Sequence, residues 1–186
     1  MRWLDALLGR SRPARPDLDA LFALPSAAVT LEAATGFAPA GLGSVCFRSP
    51  EGGAFARLRG DIEALLADAA VERSDDSYGY TWLLARRPAG DLGALVTDLH
   101  AVNSSLEGAG FGPALLCSVV VFTGPGDRRL ALVYLYKQGT FYPFAPLPGE
   151  RRDNPLELQV RGVLTGELPV EADLSRWFPL WGAPGL

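Results

Sequence analysis

The segment LALVYLYK, at positions 130–137, constrains the fold more than any other stretch of the sequence. Side chains of an extended strand alternate between two faces. Both faces are apolar here: one carries Leu130, Leu132, Tyr134 and Tyr136, and the other carries Ala131, Val133 and Leu135. Because a strand with two apolar faces is expected in the interior of a sheet, much of this segment is predicted to be core.

The next segment, TFYPF at 140–144, is predicted to pair with it as a hairpin, but it contains Pro143. Proline has no backbone N–H to donate, so it belongs on an edge strand or at a bulge. That location brings Phe141, Tyr142 or Phe144 to the rim of the sheet, where an exposed aromatic side chain can receive a partner. The residues are therefore interpreted either as core or as a docking surface.

The spacing of apolar residues predicts the other elements. Two stripes at helical spacing consist of Phe55, Leu58, Ile62, Leu65, Leu66 and Ala69, and of Leu92, Leu95, Val96, Leu99, Val102 and Leu106. Further strands are expected at 29–33, 44–48, 78–84 and 114–123, and a third helix at 154–164. This order predicts an α+β fold, with a mainly antiparallel sheet and helices packed on one face. In element order alone it resembles the type III secretion chaperones and the YbjN-like proteins.

Both ends of the chain are rich in large apolar side chains. Residues 1–16 are predicted to be an amphipathic segment and hinge, followed by a single domain over 17–186. The apolar face of the first segment consists of Trp3, Leu4, Leu7 and Leu8, and it suits either an anionic membrane surface or the protein's own domain. The tail carries Trp177, Phe178, Leu180 and Trp181, which either fold back onto the sheet or anchor a partner.

Composition excludes several classes of function. A net charge of −4 gives no basic face for binding nucleic acid. Cys46 and Cys117 both lie in apolar runs and are interpreted as reduced core residues. Because the sequence has neither a signal peptide nor an uninterrupted apolar span, a cytoplasmic location is expected.

The sequence offers little catalytic chemistry. His100 is the sole histidine and is interpreted as a residue at the edge of a packed helix face; a hydrolase or transferase built around it is a weaker alternative. Asn103 is expected to be a buried amide that makes structural hydrogen bonds, and Asp75 and Asp76 are expected in a turn. Nucleotide-binding, nucleophile-elbow and metal-ligand motifs do not occur, so no catalytic, cofactor or metal residue is assigned.

Blocks along nearly the whole chain carry a family resemblance. They include RWLDALLGRSRP, YGYTWLL, LVTDLHAVNSSLEGAGFGP, YLYKQGTFYPFAPLPGERRDN and DLSRWFPLWGAPGL. The sequence resembles the PspA-associated protein PspAB family of actinobacteria. The resemblance implies an accessory role in the phage-shock membrane-stress response. It places the chain beside PspA, a coiled-coil protein that protects the inner membrane, and often near an HtpX-type membrane zinc protease.

These observations favour a non-enzymatic cytoplasmic adaptor that binds a PspA-like protein, an HtpX-type protease or the inner face of the plasma membrane. The candidate contact residues are Trp3, Leu4, Leu7, Leu8, Phe141, Tyr142, Phe144, Trp177, Phe178 and Trp181. The alternative is a small-ligand or lipid-binding domain with an aromatic pocket lined by Tyr78, Tyr80, Trp82 and Tyr136.

Deleting residues 1–12 tests the membrane contact. We expect the shortened protein to keep its domain fold and to bind anionic liposomes more weakly, because the deletion removes the apolar face and its first arginines. Flotation with liposomes measures the binding, with neutral liposomes as the control. Equal flotation of the full-length and shortened forms would rule out this contact.

Overall fold

The computed structural model describes residues 16–49, 52–67 and 69–186. Single α-helices separate single strands or runs of strands along the chain. A 3₁₀ segment, Leu18–Ala23, precedes the four α-helices: α1 Leu24–Thr35, α2 Gly53–Leu65, α3 Leu92–Gly108 and α4 Asn154–Leu164. The strands are β1 Ala38–Arg48, β2 Ala70–Asp75, β3 Tyr80–Arg86, β4 Leu115–Thr123, β5 Arg129–Leu135, β6 Thr140–Phe144, β7 Pro146–Leu147 and β8 Arg151–Arg152. The predicted α+β class is confirmed.

The first six strands form one antiparallel sheet in the order β2-β3-β1-β4-β5-β6. Strand β6 lies at an edge, as the proline at position 143 predicts. A short parallel bridge covers that edge, since Phe141 N–H donates to the carbonyl of Pro169 and the N–H of Glu171 donates to the carbonyl of Phe141. The edge therefore does not offer free backbone groups at Phe141.

The helices pack on one face of the sheet, as predicted. Helix α3 lies across β1 and contacts the 3₁₀ segment, and α1 packs against α4. The apolar face of β5, with Leu130, Leu132 and Tyr134, is buried beneath these helices. The 18 residues Leu18–Thr35 are long and apolar enough to cross a membrane by length and composition alone. Core helices meet the same criterion, and Leu21, Leu24 and Leu31 are buried in this core.

The C-terminal tail packs against the opposite face. This second core contains Val119, Val121, Ala131 and Val133 from the central strands, together with Trp177 from the tail. The tail has no regular secondary structure beyond the 3₁₀ turn Leu174–Arg176. Both apolar faces of the sheet are thus covered, one by helices and the other by an irregular segment.

The structure differs from the local predictions at three places. Positions 29–33, predicted as a strand, lie in α1, which buries Leu24, Ala27, Ala28 and Leu31 on one helical face. Strand β2 was not predicted, because half of its sequence AVERSD is charged, nearly all of it is exposed, and its only strand partner is β3. Leu65 also differs from its predicted place in an apolar stripe, since its side chain is exposed. Strand 44–48 is confirmed within the longer β1.

An ion pair attaches helix α3 to the sheet. The Arg87 guanidinium, just after β3, donates to both carboxylate oxygens of Asp98 on α3, at 2.7 and 3.0 Å. Asp98 is buried and Arg87 is half-buried. Two parallel charge-assisted hydrogen bonds fix orientation as well as distance, so this pair sets how the helix crosses the strands.

A close backbone approach makes Gly41 a sensitive position. Its φ is +71°, and it lies where the pairing of β1 with β4 shifts register between Pro39 and Leu42. A Cβ at this position would lie 2.1 Å from the carbonyl oxygen of Arg87, whose N–H donates to the carbonyl of Gly41. Backbone cannot rotate away from such a contact as a side chain can.

Gly41→Ala and Gly126→Ala form a matched pair of substitutions. Gly126 has nearly the same φ, +70°, but a Cβ there would meet no atom within 4 Å. In both variants alanine must adopt a left-handed backbone conformation, which lowers the free energy of unfolding by a similar amount. Gly41→Ala should lower it by about 1–3 kcal/mol more, because the new Cβ overpacks the site. Urea denaturation of both variants measures the difference in the free energy of unfolding. Equal destabilisation would contradict the assigned clash.

Candidate functional site: an aromatic cavity beneath the tail

A cavity of about 470 Å³ lies between the second face of the sheet and the C-terminal tail. The sheet side of its lining consists of Cys46, Tyr80, Trp82, Leu116, Cys117, Leu135 and Tyr142. The turn before β3 contributes Asp76, Ser77 and Tyr78, and the tail contributes residues 178–183. A volume in this range matches the small-molecule and side-chain pockets of other proteins.

Trp177 anchors the tail beside the cavity. Its indole ring stacks on Tyr142 with 6.1 Å between ring centroids, and its Nε1–H donates to the carbonyl of Glu171 at 3.1 Å. The guanidinium of Arg152 donates to the carbonyl of Trp177. Trp177 is only 6% exposed. Its contacts fix the tail directly before residues 178–183, which line the cavity.

Two buried carboxylates support this anchor. Glu157 on α4 accepts hydrogen bonds from Arg152 Nε and from the backbone N–H of Ala145, each at 2.9 Å. Glu171 accepts from the hydroxyl of Thr140 at 2.8 Å and from the N–H of Asp173 at 2.9 Å. Because each buried carboxylate has several donors, both are structural groups and neither faces the cavity as a free base.

Further contacts hold the tail over the sheet beyond Trp177. The hydroxyl of Tyr142 donates to the carbonyl of Phe178 at 2.8 Å, and burial raises the pKa of Tyr142 well above its ordinary value. The hydroxyl therefore stays protonated and remains a donor. Trp181 meets Phe144 edge to face, with 4.9 Å between the ring centroids.

Asp76 organises the mouth of the cavity. One carboxylate oxygen accepts from the N–H groups of Tyr78 and Tyr80, at 2.9 and 3.0 Å, and the other accepts from Trp82 Nε1 at 3.1 Å. Partial desolvation opposes ionisation, but these hydrogen bonds outweigh it and lower the pKa of Asp76. The predicted turn chemistry is therefore present, and it orients the aromatic side chains of β3.

Two aromatic side chains at the mouth remain exposed. Tyr78 is 81% exposed and Phe178 is 56% exposed, one from the turn before β3 and the other from the tail. Both belong to the cavity lining. Exposed aromatic groups next to an apolar cavity are typical of a surface that binds another apolar group.

The sequence-predicted contact residues divide into three groups. Phe141, Tyr142, Phe144 and Trp177 are buried within the protein, so the structure favours their interpretation as core over a docking surface. Phe178 and Trp181 line the cavity, with Trp181 half-buried. Trp3, Leu4, Leu7 and Leu8 lie outside the described residues.

The predicted aromatic pocket is brought together only in part. Tyr78, Tyr80 and Trp82 do line one cavity. Tyr136 does not, because its side chain packs in the core on the opposite face of the sheet. Successive side chains of an extended chain point to opposite faces of the sheet. Leu135 lines the cavity, so the next residue, Tyr136, lies on the opposite face.

His100 does not lie in the cavity. Its Nε2 is 3.1 Å from a carboxylate oxygen of Asp19, its Nδ1 is 3.4 Å from the hydroxyl of Ser104, and its ring packs against Phe22. Ser104 is one helical turn away on the same helix, and none of these three partners lies next to the cavity described above. This arrangement is that of a residue packed at the edge of the helix.

Asn103 is likewise structural, as predicted. It is buried, and its amide donates to the hydroxyl of Ser118 on β4 at 2.8 Å. This bond links α3 to the centre of the sheet. Within residues 16–49, 52–67 and 69–186, no group of three or more metal-ligating side chains is brought together.

Comparison with protein families identifies the chain. The family described as PspAB, PspA associated protein B, matches residues 1–185. The chain belongs to the PspAB family. The family name links it to PspA in an accessory role. Comparisons with curated proteins and with solved structures find no match, so the resemblance to secretion chaperones and YbjN-like proteins stays a prediction.

The tail's contribution to this PspAB cavity was not predicted from the sequence. Its lining comes from segments that are far apart along the chain, around positions 46, 76–82, 116–142 and 178–183. The available signal was the second apolar face of the sheet, on which Val119, Val121 and Val133 lie. The helices cover the first face, so the tail is left to cover the second.

Replacing Trp177 tests the anchor. We expect Trp177→Ala to lower the free energy of unfolding by about 3–5 kcal/mol, because a large buried side chain is lost. Its exposed neighbour supplies the control, and Phe178→Ala should change stability by less than about 1 kcal/mol. Thermal or urea denaturation measures both. Similar stability of the two variants would show that the tail is not anchored through Trp177.

Proposed function

We propose that this PspAB protein is a non-enzymatic adaptor of the phage-shock membrane-stress response that binds a PspA-like protein through its aromatic cavity. The observation that supports this most is the position of Tyr78 and Phe178, two large exposed aromatic side chains at the mouth of one apolar cavity. The family name supplies the link to PspA.

The chemistry of the cavity supports binding more than catalysis. Its lining is mostly aromatic and aliphatic, and its one carboxylate, Asp76, already accepts three hydrogen bonds from the protein. The pKa of Asp76 is lowered, which makes it a poor general base near neutral pH. An apolar side chain of a partner would gain burial here without leaving a polar group unpaired.

We further propose that the protein acts in the cytoplasm, at the inner face of the plasma membrane. This step depends on the sequence of residues 1–16, whose apolar face and arginines suit an anionic lipid surface. An HtpX-type membrane protease is a second partner that this location would bring within reach.

The adaptor function is tested by binding of a PspA-like protein from the same host. The double substitution Tyr78→Ser and Phe178→Ser removes both exposed aromatic groups from the mouth of the cavity. We expect it to weaken binding about tenfold to a hundredfold, as hot-spot residues at interfaces do. Calorimetry or surface plasmon resonance measures the dissociation constant.

The matched control changes two exposed apolar side chains on helices. Val29→Ser lies in α1 and Leu65→Ser in α2, away from the cavity lining. Their binding should equal that of the natural protein. An equal loss in both double variants, or no loss at the mouth, would contradict the proposed surface.

A small-ligand or lipid-binding function is the second candidate. It is favoured by the cavity volume of about 470 Å³ and by the apolar lining. Native mass spectrometry of the purified protein distinguishes the two functions. A retained non-protein mass that is lost in the Tyr78→Ser and Phe178→Ser variant supports the ligand, and an unliganded protein that binds the PspA-like partner supports the adaptor.

A further inference from the structure

The two cysteines face each other at the floor of the cavity. Cys46 on β1 and Cys117 on β4 are direct partners in the antiparallel pairing of these strands. Their side chains lie on the same face of the sheet, in the core beneath the tail. Both are free thiols, as predicted, and both contribute to the cavity lining.

Directly opposed positions satisfy the distance requirement of a disulfide. In antiparallel strands, opposed residues have Cα atoms about 4.5 or 5.5 Å apart, depending on the type of pair. A disulfide needs Cα atoms about 4.4–6.8 Å apart. Because either kind of pair meets this requirement, the strands need not move apart or change register for the sulfur atoms to bond.

The cavity provides the route to these sulfur atoms. Cys46 is 3% exposed and Cys117 is 7% exposed, so neither lies on the outer surface. Both nevertheless border the same cavity, whose mouth lies between the turn at Asp76 and the tail. A reagent small enough to enter the cavity therefore meets both thiols together.

The surroundings of Cys46 slow its reaction with an oxidant. Hydrogen bonding to the facing Cys117 thiol, followed by burial, raises the pKa of Cys46 far above its ordinary value. Thiols in this state react slowly, because the thiolate is the nucleophile. A mixed disulfide formed at either sulfur would nevertheless have the second thiol directly beside it.

We propose that Cys46 and Cys117 form a dithiol site that a small disulfide oxidises to an intramolecular cross-strand disulfide. One protein thiol loses its proton and attacks the small disulfide, which breaks its S–S bond and releases one small thiol. The second protein thiol then attacks the mixed disulfide, forms the Cys46–Cys117 bond and releases the second small thiol. Two electrons and two protons pass to the small disulfide, and an excess of small thiol reverses both steps.

This proposal is independent of the adaptor function and is tested without a partner. The folded full-length protein is incubated with 2-hydroxyethyl disulfide, a disulfide small enough to enter the cavity, and its intact mass is followed over time. We expect the protein to lose the mass of two hydrogen atoms, to carry no 2-mercaptoethanol adduct at the end, and to recover its mass with dithiothreitol. Peptide mapping without reduction should join the peptides that contain Cys46 and Cys117.

The variants Cys46→Ser and Cys117→Ser serve as matched controls. Each retains one thiol on the cavity floor, so 2-mercaptoethanol should remain attached to it as a mixed disulfide. A stable adduct on the natural protein would show that the sulfur atoms do not reach each other. If neither the natural protein nor the variants react while folded, both residues are inert core thiols and the proposal is wrong.

Discussion

A sheet with two apolar faces must be covered on both sides, and this requirement governs most of the structure. Leu130, Leu132 and Tyr134 on β5 lie under the helices, while Ala131 and Val133 lie under the tail. Burial of this surface is the main driving force available to the chain. The helices cover one apolar face, and the C-terminal segment covers the other.

An irregular segment covers a sheet differently from a helix. Its backbone groups need individual partners, and here Arg152 and Tyr142 donate to the carbonyls of Trp177 and Phe178. It also packs less evenly than a helix, since Trp177 and Trp181 fill space at separate points along the second face. The cavity lies between these contacts and the strand β3, so the site follows directly from how the second face is covered.

The lining of the cavity is the basis of the proposed binding function. Asp76 at the mouth accepts a hydrogen bond from the indole of Trp82, and the floor holds the thiols of Cys46 and Cys117. Membership of the PspAB family gives the partner class that an accessory protein of this kind is expected to meet. The proposed partner surface and the proposed dithiol site therefore lie in the same cavity.

Local patterns in the sequence determined the helices α2, α3 and α4, the strands β4 to β6 and the α+β class, because apolar periodicity reports directly which side of an element is buried. They also indicated the aromatic residues of β3 and the anchoring character of the tail. Strand β2 could not be predicted in this way, because its charged sequence has no apolar pattern and pairs with β3 alone. Positions 29–33 were mistaken for a strand because Val29, Leu31 and Ala33 alternate with polar residues, which is the pattern of a half-buried strand. The burial of Phe141, the separation of Tyr136 from Trp82, and the meeting of Cys46 with Cys117 were decided only by tertiary structure, because each depends on strand order and register between residues distant in sequence.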